Sequence, residues 1–243
     1  MAKHSVNWPC PANVVAVYSD RVAGVSQVPF DSYNLGDHVG DELAAVNSNR
    51  ANFQMSMPEQ VCWLKQVHST RVVDASDQAN VLSEADASIA ASSGAACVVM
   101  TADCLPVLFC DQQGTVVAAA HAGWRGLVDG VLEKTVAKMQ VEPQQLMAWM
   151  GPAIGPQAFE VGAEVKQRFV QHNARAACAF TQASQADKYY ADIFTLAEQR
   201  LQALGLGAIY SERICTYSHP KHYFSYRREG QTGRMAAAIW LSE

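Results

Sequence analysis

The stretch between residues 95 and 121 constrains the fold more than any other. An apolar run over 95–110 is followed by Asp111-Gln112-Gln113-Gly114 and then by a second apolar run over 115–121. Asp-Gln-Gln-Gly has the chemistry of a four-residue hairpin loop, so the chain is predicted to double back as two paired, buried strands. Asp103 and Pro106 interrupt the first run, which is also shorter than the roughly 20 residues of a membrane-spanning helix, so no span is expected. Short strands are predicted over 14–18, 61–65, 70–75, 87–90, 97–100, 105–110 and 234–241, most of them rich in β-branched residues and bounded by turn residues. Helices are predicted near 41–55, over 127–139 on a 3.6-residue apolar stripe, over 163–172 after Gly162, and from Asp192 as N-cap to a stop at Gly205. Strands in hairpin-length succession with irregularly interposed helices point to an α+β fold. With 49% hydrophobic and 17% charged residues in 243, the chain has material for one sizeable core. Neither a repeat nor a linker divides it, and a single domain over 1–243 is expected.

Charge narrows the function. The formal net charge is −5 and the longest basic cluster is Arg227-Arg228, so no polyanion-binding footprint exists and nucleic acid is not an expected partner. The first residues lack the apolar run of a signal peptide, and the seven cysteines form no C-x-x-C pair. Reduced thiols in the cytoplasm are therefore expected, most of them as small core residues.

Chemistry concentrates around the hairpin. If Cys110 pairs with Thr115, Cys104 falls directly across from His121, with Cβ atoms about 4.5–5.5 Å apart. That separation suits one shared metal ion or a thiolate–imidazole ion pair, and a bulge would break it. After His121 the chain turns through Gly123-Trp124-Arg125-Gly126 into a helix, where free amides and the Arg125 guanidinium favour an anion, phosphate above all. His68, beside Gln66 and Ser69 at a strand junction, is a third candidate ligand. His4, His172, His219 and His222 rank lower, and His38 in the Gly-rich loop is left unassigned.

These segments and their neighbours resemble the bacterial YfiH/YlmD family, also called the multicopper polyphenol oxidoreductase (laccase) or peptidoglycan editing factor family. The resemblance rests on Asn34-Leu35-Gly36, Gln66-Val67-His68, Ala85-Asp86-Ala87, Thr101-Ala102-Asp103-Cys104-Leu105-Pro106, His121 to Gly126, Gly151-Pro152-Ala153-Ile154-Gly155, Phe224-Ser225-Tyr226-Arg227-Arg228 and Thr232-Gly233-Arg234. It implies a mixed β-sandwich flanked by helices and a zinc ion held by His68, Cys104 and His121. It further implies phosphorolysis of adenosine, inosine, guanosine and methylthioadenosine, together with hydrolytic deamination of adenosine. Substrate contacts are expected at Asn34, Asp103, Gly123, Trp124, Arg125, Arg227 and Arg228. Ser69 stands where the family usually has Gly, a departure expected to alter the loop and not the ligand.

Elementary chemistry agrees with the zinc assignment, because two imidazoles and one thiolate leave a fourth position open, the pattern of catalytic zinc. Water held there ionises near pH 7 and suits deamination, while phosphorolysis needs a phosphate positioned by Arg125 or the Arg227-Arg228 pair. Three other readings compete. A cysteine hydrolase acting on muramyl-peptide cell-wall precursors would use the same three residues. A copper polyphenol oxidase ranks behind zinc, since a trinuclear centre draws on His-x-His pairs and this chain has none. A non-catalytic binding module ranks last.

Overall fold

The computed structural model describes residues 3–243. Two sheets face each other. The five-stranded sheet runs, in spatial order, Lys3–Ser5, Val14–Ser19, Met235–Leu241, Ala95–Thr101 and Gln60–Cys62. The six-stranded sheet runs Ala208–Ser211, Leu146–Met150, Leu105–Asp111, Val117–Ala122, Ala87–Ala90 and Val72–Asp74. Each sheet mixes parallel and antiparallel pairs.

Between the sheets, Cys97, Val99, Ala237 and Ile239 meet Leu108, Val117, Ala119 and Trp149. The outer face of the five-stranded sheet, with Val98, Met100, Ala236 and Ala238, lies under Tyr33, Leu35 and Phe53, the last from the helix Leu43–Gln54. The outer face of the six-stranded sheet, with Leu105, Val107, Phe109, Ala118 and Ala120, lies under the helices Val131–Met139 and Ile193–Ala203. The result is an α+β fold, a mixed β-sandwich flanked by helices. Because Ala95–Thr101, Leu105–Asp111 and Met235–Leu241 are buried at every position, they read as unbroken apolar runs and not as an alternating pattern. Among the described residues no helix is long and apolar enough to cross a membrane.

Two sequence expectations need correction. Cys110 pairs with Val117 and Pro106 with His121, so the hairpin is displaced by two residues from the expected Cys110–Thr115 register. The cause is Asp111, whose carboxylate accepts hydrogen bonds from the amides of Gln113, Thr115 and Val116 and from Thr115 Oγ1. This draws Thr115 into the loop and keeps Asp111 in the strand. Cys104 then lies just outside the ladder, beside Gly123 if the observed register is extended, and approaches His121 diagonally.

The helix expected over 127–139 is two helices, Trp124–Asp129 and Val131–Met139. They break at Gly130, whose φ of 97° is in the left-handed region and whose N–H closes the first helix on Gly126 and Leu127. The apolar stripe survives the break, since Leu127, Val128, Val131, Leu132, Thr135 and Met139 are all buried. The helix Ala163–His172 matches its expected bounds, and Asp192 caps Ile193–Ala203 by accepting from the Thr195 amide. A small antiparallel sheet of Glu160–Gly162, Lys188–Ala191 and Phe180–Gln182 was not anticipated, because its strands are short and mostly polar.

Leu108 is fully buried between the sheets. Leu108→Ala should lower the unfolding free energy by about 2–5 kcal/mol, read from urea denaturation; a loss well under about 1 kcal/mol would mean that the sheets do not close on this side chain.

Candidate functional site

Three segments at one end of the sandwich bring the candidate ligands together. His121 sits near the end of Val117–Ala122. Cys104 lies in the short turn that carries the chain from Ala95–Thr101 in one sheet to Leu105–Asp111 in the other, and Asp103 in that turn has a φ of 98°. His68, with a φ of 60°, lies in the loop after Gln60–Cys62. Gln66 fixes that loop by imitating a strand neighbour: its amide accepts from Met100 N at 2.7 Å and donates to Met100 O at 2.8 Å.

The three candidate donor atoms lie within 4.8 Å of one another. A tetrahedral zinc site with Zn–N of about 2.0–2.1 Å and Zn–S of about 2.3 Å places its donors roughly 3.3–3.8 Å apart. Cys104 Sγ is 3.6 Å from His68 Nε2, inside that range. His121 Nδ1 is 2.8 Å from Asp86 Oδ1, which makes Nε2 its candidate donor, the arrangement in which a carboxylate fixes the tautomer of a ligating histidine. The donor set therefore fits one metal ion.

Electrostatics points the same way. Burial resists ionisation of Cys104, but the His121 imidazolium and hydrogen bonds from His121 and His68 outweigh it and bring the thiol down to about 6. Burial also resists protonation of His121, yet the Cys104 thiolate and the Asp86 hydrogen bond and charge raise the imidazole to about 9. Buried Asp86 is likewise held below the usual carboxylate range by His121 and Ser69.

The donors open into a cavity of about 580 Å³. Arg125, Arg227, Arg234 and His38 give its walls positive or ionisable groups, and Ile154, Phe159 and Ile193 form an apolar side. Of the other expected contacts, Trp124 lines the cavity with the Arg125 guanidinium carbon 4.6 Å from its ring centre. Asp103 lines it too, but its carboxylate oxygens are engaged by Thr216 Oγ1 and the Arg227 amide, both at 2.7 Å. Gly123 matters by size: a Cβ there would stand 2.5 Å from His68 Cδ2 and 3.0 Å from Cys104 Sγ.

Three expected contacts, Gly123, Asn34 and Arg228, are not among the residues that line the cavity. Asn34 is wholly buried and holds Gly36, Asp41 and the Arg234 amide, so it sets the backbone that presents Arg234 and is not itself on the cavity wall. Arg228 spends its guanidinium on the carbonyls of Thr216, Tyr217 and Tyr223. Sequence reasoning passed over Arg234, His38, Phe159 and Tyr226 as wall residues; the Thr232-Gly233-Arg234 motif was the available signal for the first. Ser69 adds an Oγ hydrogen bond of 2.8 Å to Asp86.

With fold and site in view, comparison with known proteins places the chain. The family of multi-copper polyphenol oxidoreductase laccases matches residues 15–242. A purine nucleoside phosphorylase of Pseudomonas aeruginosa is 50% identical over 237 residues, covering 98% of this chain and 97% of the relative. The purine nucleoside phosphorylase YfiH of Escherichia coli is 50% identical over 236 residues, covering 96% of each. A crystal structure of a Neisseria meningitidis protein superposes with a TM-score of 0.96 at 47% identity and full coverage of both chains. An α+β sandwich with a His/Cys/His cluster at its strand ends is the class defined here. The chain belongs to the multi-copper polyphenol oxidoreductase laccase family, whose YfiH-type members it resembles along its whole length.

The ion pair gives a test in metal-free protein. Cys104 is depressed from 9.0, so its contribution to stability is lost as pH falls through about 6. His121 is raised from 6.5, so its contribution is lost as pH rises through about 9. The pair therefore stabilises the fold mainly between those limits. After chelation, alkylation of Cys104 by iodoacetamide should rise with a midpoint near pH 6, while buried Cys97 and Cys110, whose thiols are pushed up by burial, stay unmodified. A midpoint at the ordinary thiol value of 9.0 would remove the ion pair.

Proposed function

We propose that this chain is a zinc-dependent purine nucleoside phosphorylase that also deaminates adenosine, with adenosine, inosine, guanosine and methylthioadenosine as substrates. The observation that carries the reading is the convergence of His68, Cys104 and His121 beside a cavity of about 580 Å³ that also holds three arginines. The names of the relatives support phosphorolysis. Cavities of this size take small molecules. Zinc, held by His68, Cys104 and His121, would supply Lewis acidity next to the bound nucleoside.

The remaining work falls to the chain's own side chains. In phosphorolysis a phosphate oxygen forms a bond to the anomeric carbon, the glycosidic C–N bond breaks, and its electron pair leaves with the base, which takes up a proton. Positive charge grows on the sugar while this happens, so phosphate must be held close and in line. Arg125, exposed at the mouth and braced on Trp124, presents a guanidinium suited to two phosphate oxygens. Arg227 is fixed less freely, since its guanidinium donates to Ala158 O. Ile154, Phe159 and Ile193 add apolar surface to the same cavity, with the Arg227 guanidinium carbon 5.7 Å from the Phe159 ring centre. Deamination would use the same bound adenosine, with water in place of phosphate as nucleophile, so the two reactions compete.

The lowered thiol also favours a second reading, a cysteine hydrolase acting on muramyl-peptide cell-wall precursors, in which Cys104 attacks an acyl carbon and His121 or His68 serves as base. Metal content separates the two. Protein purified without chelator should hold about one zinc per chain, and Cys104→Ala should lose most of it. Equal zinc in both proteins, or stoichiometric copper, would sink the zinc assignment.

Arg125→Ala should raise the phosphate KM for inosine cleavage about 10–100-fold with zinc content unchanged. With adenosine, increasing phosphate should shift products from inosine toward adenine. If Arg125→Ala reduced deamination as steeply as phosphorolysis, a dedicated phosphate role would be wrong.

A further inference from the structure

One wholly buried carboxylate touches both imidazole-bearing segments of the site. Asp86 precedes the strand Ala87–Ala90 and no part of it reaches solvent. Its Oδ1 accepts from His121 Nδ1 at 2.8 Å and from His68 N at 2.9 Å. Its Oδ2 accepts from Val67 N at 3.2 Å, Ser69 N at 2.5 Å and Ser69 Oγ at 2.8 Å. The main chain adds two more ties, His121 N to Asp86 O at 2.7 Å and Asp86 N to Arg71 O at 3.1 Å. Three consecutive backbone amides converging on one anion form a nest, a concavity that usually takes a bound anion and here is filled by a residue of the same chain.

The nest explains an otherwise unfavourable backbone. His68 has a φ of 60°, in the left-handed region that only a few per cent of non-glycine residues occupy. Turning the amides of Val67, His68 and Ser69 to one point requires such a reversal, and the same reversal carries the His68 ring to 4.9 Å from that of His121 and its Nε2 to 3.6 Å from Cys104 Sγ.

We infer that Asp86 is the positioning residue of this site: through the backbone of one histidine and the side chain of the other, its carboxylate sets the direction of two of the three donors before any ligand arrives. An asparagine cannot substitute, because its NH₂ would face N–H and O–H donors on one side of the nest. A glutamate is one methylene too long for a fully enclosed position. The role is indirect, since Asp86 is not among the residues that line the cavity. The metal arm of this inference rests on the reading proposed above, whereas the backbone arm does not.

The test measures both arms in the full chain. Zinc affinity is read by competition with a chromophoric chelator, and amide hydrogen exchange at Val67, His68 and Ser69 is read in metal-free protein. Folded Asp86→Asn, checked by circular dichroism, should bind zinc about 10–100-fold more weakly than wild type and should lose exchange protection at all three amides. Ser69→Ala, which removes the hydroxyl that donates to Asp86 and accepts from the Arg71 amide at 3.2 Å, should weaken zinc binding by a smaller factor, about 2–5-fold on the scale of one hydrogen bond. A purely structural role would lower the melting temperature and leave the zinc affinity of folded protein unchanged, and that result for Asp86→Asn overturns the inference. Should Asp86→Asn fail to fold, Ser69→Ala decides, and wild-type affinity with wild-type exchange overturns it. If wild type itself binds no zinc, the functional reading fails while the exchange arm still decides: unchanged protection in Asp86→Asn overturns the positioning role, and lost protection supports it.

Discussion

Burial of both faces of the central strands is the constraint from which the rest follows. Ala95–Thr101, Leu105–Asp111, Val117–Ala122 and Met235–Leu241 have no face turned to water, so an ionisable side chain on them must either be paired or stand at a strand end. His121 and Asp86 are both buried and paired with each other, and Cys104 stands in the turn that passes between the sheets. The alanine triplets 118–120 and 236–238 belong to the same constraint. Small side chains on central strands let layers approach closely and leave the large groups, Phe53, Phe109 and Trp149 among them, to fill the space between.

How the charges coexist in such a place is an electrostatic matter. Asp86, His121 and Cys104 alternate negative, positive and negative, each offsetting the desolvation of its neighbour. The outer carboxylate is further satisfied by backbone amides, so the chain of charges ends in dipoles and not in an unpaired ion. A metal cation joining the imidazoles and the thiolate would extend the same logic, since it takes over the role of the His121 proton at the thiolate.

Much of this was legible in the sequence because burial on both faces writes long apolar runs, and because His, Cys and Arg seldom crowd into so few residues without a reason. The strands 87–90 and 105–110 and the helix 163–172 were readable nearly to the residue. What failed depended on side chains acting on backbones. Asp111 gathers three amides and shifts the hairpin by two residues, and nothing in apolar periodicity reports that. Gly130 cuts a helix whose stripe continues unchanged across the cut. Asn34 and Arg228, expected as substrate contacts from the resemblance, hydrogen-bond the protein itself and are not among the residues that line the cavity. Arg234 and Phe159, far from the cluster in sequence, reach the cavity only through the tertiary fold.

The small sheet of Glu160–Gly162, Lys188–Ala191 and Phe180–Gln182 and the helices beside it contribute Phe159 and Ile193 to the cavity, while every candidate donor comes from the sandwich. The donors and the apolar wall thus come from different elements that share one hydrophobic core. A change at Phe159 or Ile193 would therefore alter the cavity's apolar surface while touching no donor atom, whereas a side chain at Gly123 would press on two donors at once.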